Sequence, residues 1–163
     1  MENWRWKDTV LQPIDLPKKV QRFIEMMGID TSYLRLMILT PCPKGKFIKS
    51  FDKGESGKPN YTRAAVAIAE FDAVYFFSDR VKVGTAIHEL THIYLTQSGL
   101  YEGIEYDLRG MGEKFIQQNG VSALTNYAQF NRLVGVWEEV VCEIVATYGR
   151  RGQFDKIKEL FNQ

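Results

Sequence analysis

The sequence predicts an α+β fold: a small, mostly antiparallel sheet packed on a helix that carries the pattern H-E-x-x-H, followed by a helical subregion. Three observations lead there. Apolar residues recur at helical spacing near the start, at Val20, Phe23, Ile24 and Met27. Short β-compatible runs then cluster between Tyr33 and Phe77. A helix follows at about 80–97, and from Tyr106 onward the pattern is mostly helical. Helix, then strands, then helices is not the alternation of a parallel α/β fold.

Each element has its own grounds. Leu16 to Gly28 reads as a first helix, with Pro17 early and Gly28 as the stop. Tyr33 to Leu39 alternates and reads as a strand. Residues 41–60 contain three Gly, three Pro and five Lys, and read as a long solvated loop. Two strands are expected at about 61–69 and 73–77, joined as a hairpin across Glu70-Phe71-Asp72. Ser78 and Asp79 are N-cap candidates for a helix over 80–97, which Ser98-Gly99 closes. After Tyr106, Gly110, Gly112, Gly120 and Gly135 break the helical pattern. A helix over 134–148 follows, with Val136, Val140, Val141, Ile144, Val145 and Tyr148 as its apolar set, and a last short helix runs from Gln153 to Phe161.

The 163 residues suit one domain, 1–163, with 45% hydrophobic and 25% charged residues. A formal net charge of +1 creates no global field toward nucleic acid or anionic lipid. Lys44, Lys46, Lys49, Lys53 and Lys58 are interrupted by Asp52 and Glu55, so a nucleic-acid partner is not expected. Neither a secretory leader nor a membrane span is legible, so a cytoplasmic protein with no membrane partner is expected. Cys42 and Cys142 lie far apart and read as unpaired thiols, Cys42 in a constrained loop and Cys142 packed in a helix core. Trp4 and Trp6 read as a segment folding back onto the domain.

The chemistry is concentrated in His88-Glu89-Leu90-Thr91-His92, which holds both histidines of the chain. Residues four apart on a helix share a face, so both imidazoles can reach one metal ion. H-E-x-x-H at this spacing is a zinc-binding pattern, and zinc is the cofactor expected. Glu89 lies beside the metal, where a general base for an attacking water belongs. A catalytic zinc takes three protein ligands, and no third histidine remains. Trp137-Glu138-Glu139-Val140-Val141-Cys142-Glu143 places three acids in an apolar helix, where unpaired carboxylates are costly. Glu139 is assigned as third ligand and Glu143, one turn on, as the acceptor for a ligating imidazole's free N–H. The exchanged roles remain open. Glu138 points about 100° away, and Glu102, Glu105 and Asp107 are remoter. Tyr94, Tyr106 and Arg132, with Tyr101 and Tyr127, are candidate donors to a developing oxyanion.

His88-Glu89-Leu90-Thr91-His92 followed by Trp137-Glu138-Glu139-Val140-Val141-Cys142-Glu143 resembles the zincin metallopeptidases whose third ligand is a glutamate on a later helix. The likeness extends to the zincin-like domain of phage and plasmid antirestriction proteins and to intracellular repressor-cleaving metallopeptidases. Trp137 and Cys142 depart from the antirestriction pattern. The resemblance implies a zincin-like domain with His88, His92 and Glu139 as zinc ligands and Glu89 as base. It implies zinc-dependent hydrolysis of a peptide bond in a protein or peptide substrate, with an edge strand near 73–77 pairing with extended substrate. The alternative it carries is a catalytically idle inhibitor or binding protein on the same scaffold, of phage or plasmid origin and acting in a host cytoplasm.

Overall fold

The computed structural model describes residues 7–40, 65–68, 72–77, 80–124 and 137–162. The architecture is α+β, with a four-stranded mixed sheet and five α-helices among these residues. The lysine loop 41–60, Trp4, Trp6, Cys42, Ser78, Asp79, Tyr127, Arg132 and Gly135 lie outside them.

Strand β1 (Lys7–Leu11) opens the chain and pairs antiparallel with β2 (Arg35–Thr40). Between them, a 3-10 turn at Pro13–Asp15 leads into helix α1 (Lys18–Met27). Pro17 sits at the N-cap of α1, where its missing N–H costs nothing. Gly28 ends the helix at φ 65°, a left-handed conformation that favours glycine. The helix buries Val20, Phe23 and Ile24, the same residues whose spacing predicts it.

The expected hairpin is present as β3 (Ala65–Ile68) and β4 (Ala73–Phe76), paired antiparallel. Its strand order corrects one expectation. The strands run β1-β2-β4-β3, so β4 is interior, parallel to β2 and antiparallel to β3. Burial agrees: Ala73, Val74 and Phe76 are closed to solvent, as a strand with neighbours on both sides requires. Among the described residues, the edge beside the helices is β3. Register aligns Leu36 with Val74 and Ala67, and Ile38 with Phe76 and Ala65, giving two apolar rows across one sheet face. The rows taper to alanine at β3, against which the next helix packs.

That helix, α2 (Val83–Tyr101), starts later and runs further than expected. Ser98 does not stop it, because its hydroxyl donates back to the carbonyls of Tyr94 and Leu95. The chain turns only at Glu102 and Gly103, the latter at φ 66°. Helix α3 (Leu108–Asn119) is capped by Asp107, whose carboxylate accepts from the Gly110 amide at 3.0 Å. Gly110 and Gly112 lie inside α3 rather than breaking it. A Cβ at Gly112 would meet the Trp137 ring at 2.6 Å, so glycine permits a close helix approach there. Gly120 does end the helix, and a 3-10 turn at Val121–Ala123 follows.

Helix α4 (Trp137–Arg150) contains the acids of the second motif, and α5 (Phe154–Phe161) closes the chain. α4 packs on α1, α2, α3 and α5 and buries Val140, Val141, Ile144 and Val145 completely. Burying these side chains contributes roughly 1.5–3 kcal/mol each. It fixes α4 against α2 at the place where the motif residues face one another. Among the described residues, no helix is long and apolar enough to cross a membrane.

Candidate metal centre

His88 and His92 stand one turn apart on α2, and Glu139 and Glu143 one turn apart on α4. His88 Nε2 lies 2.9 Å from Glu139 Oε2, and His92 Nε2 lies 2.7 Å from Glu139 Oε1. One carboxylate thus bridges the Nε2 atoms of both imidazoles. The Nδ1 atoms have separate partners: Glu143 Oε2 at 3.0 Å for His88 and Glu138 Oε2 at 2.7 Å for His92. As α2 advances from 88 to 92, its partners on α4 go back from 143 to 138. The two helices are therefore antiparallel at the site, and the five side chains form a ladder between them.

This arrangement has the features of a metal site with oriented ligands. In such sites an imidazole binds the ion through one nitrogen and donates its other N–H to a carboxylate, which fixes ring orientation and tautomer. Here both Nε2 atoms converge on Glu139, and both Nδ1 atoms are held by carboxylates from behind. The rings meet edge to face at 5.4 Å between centroids.

Glu138 is a correction. Its helical angle turns it away from Glu139, yet it reaches His92, because antiparallel helices bring the start of α4 beside the later of the two histidines. Glu143 Oε2 lies 3.0 Å from His88 Nδ1, one turn along α4 from Glu139. Its other oxygen lies 3.6 Å from the Arg150 guanidinium, an ion pair longer than a hydrogen bond. Arg150 reaches that position across Gly84, where a Cβ would come within 2.4 Å of its Nη1. The line Arg150–Glu143–His88 thus depends on an open helix surface at the start of α2.

The balance of charges favours a cation at this place. Glu89, Glu138, Glu139 and Glu143 bring four formal negative charges, and Arg150 brings one positive charge. The imidazoles compensate by retaining protons. Burial works against a charged His88, but hydrogen bonds to Glu139 and Glu143 and the field of Glu89 outweigh it, and the ring is pushed up to about 9. Burial likewise opposes charge on His92, and its contacts with Cys142, Glu138 and Glu139 raise it well above the ordinary imidazole value. Burial alone would raise Glu139, yet the two imidazoles hold it well below the usual carboxylate range. Glu143 is lowered in the same way, by His88 and Arg150 against burial. A divalent ion at the Nε2 atoms would replace these protons and supply the same charge.

Glu89 is buried on α2 beside His88, close enough for its charge to raise that ring. Tyr94 and Tyr106 are not brought to the imidazoles. Their hydroxyls bond to each other at 3.0 Å, and both rings pack on Phe161. Tyr94 projects about 200° around the helix from His92. Tyr101 is solvent-exposed.

Cys142 has a position that composition does not suggest. It is buried in the helix core, as expected, but on the face toward α2. Its Sγ and a ligand nitrogen of each histidine all lie within 4.8 Å of one another, a group able to hold a metal ion. Burial pushes its thiol up to about 12 despite the neighbouring His92. The signal was present in spacing, since Cys142 is three residues from Glu139 and so shares its face. Comparison of the chain with protein-family models, curated proteins and solved structures gives no match.

Proposed function

We propose that the chain is a zinc-dependent metallopeptidase with a zincin-like arrangement, in which His88, His92 and Glu139 hold the metal and Glu89 is the general base. The observation that carries this reading is the bridging of both Nε2 atoms by Glu139, with each Nδ1 anchored on its own carboxylate. A carboxylate between two imidazoles at 2.7–2.9 Å marks the place where three donors converge. Zinc there supplies Lewis acidity for the scissile carbonyl and the attacking water.

The chain's own groups do the rest. Glu89 takes the water's proton and returns it to the leaving amine. Glu143 and Glu138 keep the imidazole rings aimed at the ion. Strand β3 is an edge among the described residues and packs against α2, so an extended peptide can add to it as a further strand. The substrate class proposed is therefore protein or peptide, and the compartment the cytoplasm.

Glu89→Gln tests the reading. Cleavage of a diverse peptide mixture, followed by mass spectrometry, should fall by about 10²–10⁴-fold while zinc content stays near that of the wild type. Undiminished cleavage by this variant would remove Glu89 from the reaction. A second reading, a zincin scaffold that binds a partner without turnover, is favoured by one feature: Cys142 Sγ lies within 4.8 Å of a nitrogen of each histidine, and a fourth protein donor would close the site.

A further inference from the structure

We propose that Cys142 is itself a metal ligand, so that the ion at His88, His92 and Glu139 is held in a mixed nitrogen, oxygen and sulfur site. The inference rests on the metal site proposed above and extends it by one donor.

The geometry is specific. Cys142 lies three residues from Glu139 and four from Glu138, so it shares their face of α4, and that face opposes the histidines of α2. Its sulfur shares a sphere of 4.8 Å with ligand nitrogens from both rings. In a tetrahedral zinc site, nitrogen and sulfur donors stand about 3.5 Å apart. Contraction by at most about 1.3 Å brings the group to bonding distance. The thiol is fully buried, so an accessible redox or nucleophilic role is not open to it. On binding, the S–H bond breaks, its proton leaves to solvent, and a sulfur–metal bond forms.

Two consequences follow. Thiolate selects soft and borderline ions, so zinc, cobalt and cadmium should be preferred over magnesium, calcium and manganese. Two imidazoles, one carboxylate and one thiolate also fill a tetrahedron, which closes the site at rest. Water or a substrate carbonyl then enters only by displacing a protein donor.

The test is a cobalt titration of chelator-stripped protein without oxygen, read by absorption. Wild type should take up one Co²⁺ per chain and develop a near-ultraviolet thiolate-to-cobalt charge-transfer band. Cys142→Ala and Cys142→Ser should still bind Co²⁺ through the remaining donors, more weakly and without that band. Cys42→Ala should keep it, which assigns the sulfur. Uptake of Co²⁺ by wild type with no charge-transfer band overturns the inference and leaves the metal site standing. Persistence of the band in both Cys142 variants also overturns it. Failure of wild type to bind Co²⁺ or Zn²⁺ at all would instead remove the underlying metal reading.

Discussion

Glu139 is the residue on which the two imidazoles converge, so its removal has a defined consequence. Glu139→Ala should bind zinc more weakly, measured by titration against a competing chelator, because it removes the carboxylate from the proposed donor set. Unchanged affinity would move the third ligand elsewhere. The protons held by the site set a second expectation, for metal-free protein. The folded pKa of His88 lies near 9, above its ordinary 6.5, so its contribution to stability is complete below 6.5 and lost as pH rises through about 9. Glu139 and Glu143 are depressed below 4.5, so their contribution is present above that value and lost as pH falls. In chelator, urea midpoints should therefore be highest between about pH 5 and 6.5. A midpoint as high at pH 9 as at pH 6 would contradict this. At this scale His88, Glu89 and His92 were legible because the chain has only two histidines, four residues apart. The contact of Glu143 with an imidazole was legible in its spacing from Glu139. Glu138, Cys142 and Arg150 were not, because their roles depend on how two helices cross, and one helix's periodicity says nothing about its partner's direction.

The crossing of α2 and α4 depends on small residues at the contact. A Cβ at Gly149 would fall 2.4 Å from Cδ1 of Ile87, directly before His88. Gly149→Val should destabilise the fold by about 1–3 kcal/mol through overpacking. It should also weaken the proposed zinc binding, since it separates the helices that carry His88, His92 and Glu139. Calorimetry and a zinc titration check both, and an unchanged variant would mean the helices are not held at this distance. The helices themselves were largely readable, because each carries an amphipathic or apolar period. Their ends were less so. α2 passes Ser98 because the serine hydroxyl satisfies a carbonyl within the helix rather than capping it. Gly110 and Gly112 look like breaks by propensity, but packing on Trp137 overrides propensity at Gly112. β1 went unread because it exists through pairing with β2, a non-local contact. The same limit hid the interior place of β4.

For the whole molecule, the sheet and α1 hold α2 and α4 in position, and a metal ion would tie those two helices together across the core. Binding to the folded state alone stabilises it by about 2.7 kcal/mol when free zinc is 100 times its dissociation constant. For a chain of this size that corresponds to a Tm increase of roughly 5–10 °C. Scanning calorimetry with and without zinc should show it in wild type and not in His88→Ala. The α+β class was legible from the order of periodic segments alone. The strand order was not, because nothing local distinguishes an interior strand from an edge in a hairpin this short. The most direct measurement of the central claim is the zinc content of protein purified and dialysed against metal-free buffer. The account predicts about one zinc per chain for wild type and almost none for the His88→Ala, His92→Ala double variant. Wild type free of zinc after equilibration with the ion, or a double variant that retains a full equivalent, would contradict it.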